Sequence, residues 1–378
     1  MTRQSNVSGS ERRWSLRDGF LAAFFICLVG LAQAAPSKSS DSGPAFTVSP
    51  PKGSWTLIAY GDTRFTDPAD RVNSNPMARQ ALVRKIAEEK PSVLLLSGDL
   101  PFHGGDGNDY VVYHAETEPW RQAGIRVFPA LGNHELYDPR DRNGCGTCLE
   151  NWWKTFPELR GRRWYSVRFG EAYILTLDSN LDLYAGSAQG QWLARQLQEL
   201  PSDIRYVFIS LHHPPIADPV YLKDSHSARP NEEALAQQLE AAAKQIKAKI
   251  VVVAGHIHNY ERFQRGGVDY LVSGGGGARP YRVARSPSDL YQENIFPIFH
   301  YVKFASDGGK LRATMYRLDG DRFISADSFT VGELAPVNAK NVWERFDLAG
   351  QIRWALVCLQ QLIDDSHQFL GIGRLFQI

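Results

Sequence analysis

The stretch IVVVAGHIHNYER, residues 250–262, decides the fold. A short β-branched run that ends in glycine is typical of a buried strand that stops abruptly. His256 and His258 follow this run at positions i and i+2, so in extended backbone both imidazoles point the same way. Both side chains can therefore reach one pocket at the carboxyl end of the strand. Taken alone, such a pair predicts no more than two surface histidines.

Four other apolar runs end in the same way, with an aspartate, asparagine or histidine just past the strand. They are residues 56–60 before Gly61-Asp62-Thr63-Arg64, 93–97 before Gly98-Asp99-Leu100, 127–131 before Gly132-Asn133-His134-Glu135, and 207–210 before Leu211-His212-His213-Pro214-Pro215. Ligands bind at the carboxyl ends of strands in α/β sheets, where loops vary on a rigid base. Aspartate and asparagine also cap helices and form turns, but five such endings in one chain indicate a shared site.

The order GD, GD, GNHE, HxP and GHxH resembles the calcineurin-like metallophosphoesterase superfamily, and GHIHNYER resembles its purple acid phosphatase branch most. The resemblance covers about residues 55–331. It implies an α/β fold, a four-layer αββα sandwich of two mixed β-sheets flanked by helices, and hydrolysis of a small-molecule phosphate ester. It also implies two sets of metal ligands. The first set is Asp62, Asp99 and His258; the second set is Asp99, Asn133, His212 and His256.

These residue types suit a two-metal site independently of the resemblance. A carboxylate has two oxygens, so Asp99 can bridge two cations about 3.5–4 Å apart. Oxygen and imidazole ligands without thiolate favour two divalent or trivalent ions of Mn, Fe or Zn. Such ions generate hydroxide near neutral pH and neutralise phosphoryl oxygens. His213, next to a ligand, is a candidate for supporting a ligand or contacting substrate.

The chain departs from the family pattern in the first set. Arg64 stands where most members have a histidine, and Phe102 stands where purple acid phosphatases have a tyrosine ligand. The first metal therefore has few protein ligands, and the protein is not expected to be purple. Arg64 is expected either to hold a substrate phosphate or to pair with Asp62 or Asp67. His103 could complete the shell or simply be exposed.

Two further histidines are candidate catalytic residues. His134 follows a metal ligand and is placed to face the substrate as a general acid, with Glu135 able to orient its imidazole. The alternative for His134 is a structural hydrogen bond to backbone. His226 follows the HxP loop, where purple acid phosphatases place a histidine that contacts phosphate, and an exposed loop histidine is the alternative.

The beginning of the chain predicts export to the periplasm or secretion. Basic residues precede an apolar run at residues 20–31, and Ala32-Gln33-Ala34 offers a cleavage site, so residues 1–34 are expected to be a signal peptide. The run is too short to span a bilayer comfortably, so no stable membrane span is expected after cleavage. Residues 12–17, RRWSLR, leave a twin-arginine route or an ordinary basic region open. Residues 35–53 are expected to be a disordered linker.

Composition fits an ordinary globular enzyme. The 378 residues carry a net charge of +1 and are 43% hydrophobic, and no basic block indicates nucleic-acid binding. Of four cysteines, Cys145 and Cys148 lie in a turn-rich loop and are expected to form a local disulfide. Cys358 is expected to be buried. The sequence leaves the oligomeric state open.

Residues 54–333 are predicted to form the catalytic domain, and 334–378 a C-terminal helical extension that docks on it or, alternatively, lies on a membrane surface. Helices are predicted at 76–90, 189–200 and 231–247, and later strands at 164–168, 173–178, 268–273, 300–305, 311–318 and 324–331. Residues 102–118 and 217–230 are expected to be substrate-selecting loops. Gly274 to Gly277 are expected to allow close backbone approach beside the metal cleft. A degenerate, non-catalytic protein that binds a phosphate-containing ligand or partner is the alternative function, motivated by Arg64 and Phe102.

Overall fold

The computed structural model describes residues 45–335, except 52, 142–144, 222–225 and 308. The predicted signal peptide, the larger part of the linker, nearly all of the C-terminal extension and Cys358 lie outside these residues. Among the described residues, no helix is both long and apolar enough to cross a bilayer.

The strands, in chain order, include all of the predicted ones. They are β1 Phe46–Val48, β2 Trp55–Tyr60, β3 Val93–Leu96, β4 Arg126–Pro129, β5 Tyr165–Phe169, β6 Ala172–Thr176, β7 Tyr206–Ser210, β8 Lys249–Ala254, β9 Tyr260–Arg265, β10 Val268–Ser273, β11 His300–Ser306, β12 Leu311–Asp319 and β13 Arg322–Thr330. They form a seven-stranded sheet, β1-β5-β6-β7-β8-β10-β9, and a six-stranded sheet, β13-β12-β11-β2-β3-β4. Both sheets are mixed; their parallel strands are β6-β7-β8-β10 in the first and β2-β3-β4, at one edge, in the second.

Most of the helices connect one parallel strand to the next along the chain. They are α1 Pro76–Glu89, α2 Gly107–Glu116, α3 Glu118–Gln122, α4 Cys148–Thr155, α5 Ala188–Gln198 and α6 Pro230–Ala243. Helix α1 begins where Asn75 accepts a hydrogen bond from the Ala78 amide, with proline at the first turn. Capping side chains and an N-terminal proline satisfy or remove the free amides of a first turn. Ser187 caps α5 through the Gly190 amide in the same way.

The two sheets pack face to face with helices outside. Phe208 of β7 and Phe304 of β11 meet between the sheets, with ring centroids 5.0 Å apart. On the outer side of the six-stranded sheet, Tyr60 meets Trp120 of α3. On the outer side of the other sheet, α5 and α6 pack against β7 and β8 in a second apolar cluster. The predicted four-layer αββα sandwich is therefore confirmed.

Two expectations were wrong in part, and one strand was not predicted. Residues 46–48 are not linker, because β1 pairs in parallel with β5 and Phe46 packs against Phe128 and Tyr165. Residues 260–265 form β9, an antiparallel hairpin with β10 across Gly266 and Gly267. Residues 102–118 are not a simple loop, since Asp106 caps α2 through the Asn108 amide.

Candidate metal centre

The carboxyl ends of five parallel strands meet at one edge of the sandwich. Strands β2, β3 and β4 of one sheet lead to Asp62, Asp99 and Asn133, and β7 and β8 of the other lead to His212 and the HxH pair. Asp62, Asp99, His212 and His258 are almost fully buried. The structure thus brings together all six residues that the sequence predicts as metal ligands.

The backbone of the site adopts the left-handed conformation at four non-glycine residues. Asp62, Arg64, Asp99 and His256 have φ of 59°, 48°, 55° and 70°. Such values are uncommon for side chains other than glycine and persist where the surrounding structure enforces them. All four are predicted site residues. Local strain is therefore concentrated where the chain turns side chains toward a common centre.

The second set presents converging lone pairs. His212 Nε2 lies 3.0 Å from Asn133 Oδ1, 3.2 Å from His256 Nδ1 and 3.3 Å from Asp99 Oδ1. The other ring nitrogen of His212 donates to the Ser97 carbonyl at 2.9 Å, so Nε2 carries the lone pair. Ligand bonds of about 2.0–2.2 Å place neighbouring ligand atoms about 3.0–3.4 Å apart. The second set therefore fits a metal ion.

The first set has similar acceptors but contains a cation of the protein itself. His258 Nε2 lies 3.4 Å from Asp62 Oδ1, and its Nδ1 donates to the Arg279 carbonyl at 2.6 Å. Arg64 Nη2 donates to Asp99 Oδ2 at 3.0 Å and lies 3.4 Å from His258 Nε2. Asp62 Oδ1 is buried and has no hydrogen-bond partner. In the first set, therefore, a guanidinium lies among the acceptor atoms that a metal ion would need.

The electrostatics of the site favour ligation. Burial, reinforced by neighbouring histidines at His256 and by Arg64 at His258, lowers the pKa of both imidazoles well below the usual range, so both are neutral, the form that binds metal. Burial also raises the pKa of Asp62 to about 7. The pKa of Asp99 is held well below its usual range despite burial, because His212, His134 and Arg64 stabilise its charge. Asp99 is therefore the persistent anion of the site.

Arg64 pairs with Asp99, and not with Asp62 or Asp67, the partners considered as one alternative from the sequence. The side chain turns inward because the Arg64 amide donates to the Asp99 carbonyl at 3.1 Å. His103 does not join the first set: its Nδ1 lies 4.0 Å from Asp109 Oδ2, and its ring packs on Phe102. The acidic cap region of α2 holds this histidine away from the centre.

His134 lies at the wall of the site with a fixed ring orientation. Its Nδ1 is 2.6 Å from the Phe102 carbonyl, which can only accept, so Nδ1 carries the hydrogen. Its Nε2 is 3.9 Å from Asp99 Oδ2. Burial lowers the pKa of His134 to about 4. The ring is thus neutral near pH 7, and an acid role requires a bound anion that raises this pKa.

Glu135 does not orient the imidazole of His134, contrary to expectation. It is fully buried, and its carboxylate accepts hydrogen bonds from the amides of Asp99, Leu100 and Gly132 at 2.7–3.0 Å. Neighbouring side chains diverge because residues 134–136 form a tight 3₁₀ turn. Glu135 instead holds together the loops that carry Asp99 and Asn133. The sequence gives no pattern for this role, since only the fold brings these amides together.

A cavity of about 740 Å³ opens above the ligands. His226 lies in its wall, stacked on His256 with ring centroids 4.6 Å apart and against Tyr281. His213 also lines it, with Nδ1 2.8 Å from Ser179 Oγ. Among described residues, three arginines and five histidines line the cavity: Arg64, Arg229, Arg279, His134, His213, His226, His256 and His258. Such a wall is complementary to an anion.

Sequence reasoning missed Arg229, Arg279 and Tyr281 in this wall, because arginine and tyrosine in irregular segments follow no motif. The expectation for the glycine run is confirmed. A Cβ on Gly274 would lie 2.2 Å from the Ile257 carbonyl oxygen and 2.8 Å from Asp62 Oδ2. Only glycine lets this segment pass so close to the ligand loops. The predicted disulfide between Cys145 and Cys148 is also present.

The two-sheet sandwich and its ligand-bearing strand ends define a metallophosphoesterase fold. The model of the calcineurin-like phosphoesterase family matches residues 60–260, more than half of the chain, and the chain belongs to that family. Probable purple acid phosphatase 20 of Arabidopsis thaliana is 27% identical over 216 residues, which cover 52% of this chain and 49% of that protein. Probable inactive purple acid phosphatase 27 of the same plant is 26% identical over 180 residues, or 43% and 29% of the two chains.

Solved structures agree in fold. Purple acid phosphatase PPD1 from yellow lupin (Lupinus luteus) seeds superimposes with a TM-score of 0.62 at 18% identity, covering 80% of this chain and 56% of that one. GAP50, the anchor in the inner membrane complex of Plasmodium, superimposes with a TM-score of 0.50 at 12% identity, covering 78% of this chain and 94% of that one. The match spans about half the length or less of the curated relatives. Together these likenesses support the purple acid phosphatase branch.

Proposed function

We propose that the protein is a metal-dependent phosphoric ester hydrolase that acts on small-molecule phosphate esters. The observation that carries this proposal is the converging second set at the floor of a cavity lined by arginine and histidine. Family membership and the purple acid phosphatase relatives support the same reaction class. A phosphate ester is an anion that such a cavity can bind and such ligands can expose to attack.

The metal ion would be held by the second set of Asp99, Asn133, His212 and His256. When bound, it supplies a hydroxide near neutral pH and charge to offset the phosphoryl oxygens. The sequence predicts two ions of Mn, Fe or Zn, and their number and identity stay predictions. Hydrolysis as proposed here requires only the ion of the second set.

The residues of the chain that act on the substrate are His134, Arg64 and His226. His134 presents Nε2 to the cavity, where it can protonate a leaving oxygen once a phosphate has raised its pKa. Arg64 offers planar N–H donors matched to phosphate oxygens. His226, stacked on His256, also lines the cavity and can donate to the same group.

Binding without turnover is the second candidate. The Arg64 pair with Asp99 favours it, since this guanidinium lies among ligands that most members use for a metal. One relative is described as a probable inactive purple acid phosphatase. The complete second set and the placement of His134 favour catalysis over this alternative.

We also propose that the protein is exported to the periplasm or secreted. The basic and apolar residues that begin the chain support a signal peptide, and the Cys145–Cys148 disulfide is typical of an oxidising compartment. Sequencing the amino terminus of the protein recovered from its native host tests this. We expect it to begin soon after Ala34; a mature protein that still begins at Met1 would contradict cleavage.

The function is tested by reconstituting the metal-free protein with Mn²⁺, Zn²⁺ or iron and assaying phosphate mono- and diesters. We expect turnover that chelation abolishes and metal restores. His212→Ala should eliminate it. The matched control is His103→Ala, which removes a nearby histidine that contacts no ligand of the second set.

Two outcomes separate the candidates. Turnover lost in His212→Ala and kept in His103→Ala supports the enzyme. Binding of inorganic phosphate to the metal-loaded protein, with no turnover of any mono- or diester tested, would instead support the non-catalytic member.

A further inference from the structure

We propose that Arg64 takes the place of one metal ion. Its guanidinium is a fixed cation in the first set, and the centre binds a single metal ion, in the second set. The inference rests on the proposed function in one respect only, namely that the second set binds metal. It replaces the two-ion centre that the sequence predicts.

The contacts of Arg64 lie on the atoms that a metal ion would need. Nη2 is 3.0 Å from Asp99 Oδ2 and 3.4 Å from His258 Nε2, two of the three acceptor atoms in the first set. Because the His258 Nδ1 hydrogen is committed to the Arg279 carbonyl, Nε2 presents its lone pair to the guanidinium. An ion in the first set would have to displace this group.

The backbone and surroundings hold Arg64 in this position. Its φ of 48° turns the side chain inward, and its carbonyl accepts from Arg79 Nη1 at 2.8 Å. Arg79 is completely buried and is itself held by a two-pronged ion pair to Glu116 at 2.7–2.8 Å. The Arg64 guanidinium also lies 5.5 Å from the centroid of the Phe102 ring, which has no atom able to bind metal. The arginine side chain is only 9% exposed.

Charge balance also favours one ion. When both carboxylates of the first set, Asp62 and Asp99, are ionised, they face one guanidinium, and a single divalent ion in the second set leaves these groups with one net positive charge. A second divalent ion beside the same guanidinium would leave three. Like charges a few ångströms apart repel strongly where water is excluded. If Arg64 moved out of the first set, its guanidinium would lose its ion pair with Asp99.

The arrangement has a chemical consequence for the substrate. The Arg64 side chain lines the cavity and keeps part of its surface exposed. A bound phosphate can therefore accept from a cation that is covalently part of the chain. The positive charge that Arg64 offers to the phosphoryl group would then not depend on metal supply, whereas the charge of the ion in the second set would.

The test is a metal count on the whole protein. Apoprotein is dialysed against millimolar Mn²⁺, and bound manganese per chain is measured together with its electron paramagnetic resonance spectrum. We expect one ion per wild-type chain, with the spectrum of an isolated ion, and none in His212→Ala. Arg64→His removes the guanidinium and adds a ligand, so we expect two ions and the spectrum of a coupled pair.

Arg279→His is the matched control, since it makes the same substitution at another arginine of the cavity that contacts no carboxylate of the centre. We expect it to retain one ion. Two ions in the wild-type chain, one ion remaining in His212→Ala, or a second ion gained equally by Arg279→His would each overturn the proposal. If Arg64→His does not fold, anomalous scattering from Mn²⁺ in wild-type crystals decides: density in the second set alone supports the proposal, and density in both sets overturns it.

These counts require no turnover. A loaded chain that binds one ion but hydrolyses no ester contradicts the proposed function and leaves the role of Arg64 intact. A chain that binds two ions and hydrolyses esters supports the proposed function and contradicts the role proposed for Arg64.

Discussion

At the scale of single residues, strand-end patterns predicted which side chains come together, but not how each is held. Asp99, Asn133 and His212 follow strands, so their convergence depends only on the fold. The partners of Arg64 and Glu135 could not be predicted, because they depend on left-handed backbone at Arg64 and on a tight turn at Glu135. In such backbone, the side chains of neighbouring residues point in unrelated directions.

The first prediction concerns His134. We expect His134→Ala to lower kcat by about 10²-fold or more for esters with poor leaving groups, because no positioned group then protonates the departing oxygen. An activated aryl phosphate should lose less, since its leaving group needs little protonation. Metal content should stay unchanged, because the ring lies beside the second set without belonging to it. Equal losses for both esters would count against an acid role.

The second prediction concerns His226. Its ring is stacked on His256 and lines the cavity, so we expect His226→Ala to raise KM for a phosphate ester about tenfold, about 1.4 kcal/mol of lost binding, with a smaller change in kcat. His114→Ala is the control, because that histidine lies on helix α2 and does not line the cavity. If steady-state kinetics show neither constant changed in His226→Ala, the residue makes no contact with substrate.

At the scale of elements, strands with continuous apolar runs and helices with an apolar face were predictable, and short or polar elements were not. Strand β7, and strand β8 after the exposed Lys249, are buried and appear in the sequence as continuous hydrophobic runs. Strand β9, with the sequence YERFQR, carries no such run, and β1 has only three residues. Helix α2 begins at a glycine after Asp106 and has no strong apolar period. Tertiary pairing, rather than local preference, forms these elements.

The third prediction concerns the turn after β4. Glu135→Ala removes the acceptor of three buried amides, so we expect a loss of about 2–4 kcal/mol in the free energy of unfolding. The affinity for metal should fall about 10–100-fold, because the loops that bear Asp99 and Asn133 lose their common support. Urea denaturation and metal titration measure the two effects. Glu150→Ala, which removes an exposed ion pair to Arg160, should cost no more than about 1 kcal/mol.

At the scale of the whole molecule, a cluster of three carboxyl side chains, separate from the candidate metal centre, brings together three segments of the chain. Asp218, Glu261 and Asp289 are almost fully buried, with carboxylate oxygens within 4.8 Å of one another, and Arg285 forms an ion pair with Asp289. Burial raises the pKa of Asp289 to about 7 and raises that of the other two. The sequence could not reveal this cluster, because its members are acidic residues of separate segments.

The last prediction follows from the sign of these shifts. An acid whose folded pKa is raised binds its proton more tightly in the folded state, so the stability it contributes is full below its ordinary pKa of about 4. That stability is lost as pH rises through about 7, the pKa of Asp289. Glu261→Gln replaces a carboxyl with a neutral group of the same shape, and Glu261 Oε1 has no hydrogen-bond partner to lose. The melting temperature of the variant should therefore fall less than that of the wild type between pH 5 and pH 8, and should exceed it at the alkaline end. Glu293→Gln, an exposed change in the loop that carries Asp289, should follow the wild type. If the melting temperature of Glu261→Gln instead falls with pH in parallel with the wild type, the three carboxyl groups are ionised throughout, and another positive charge balances them.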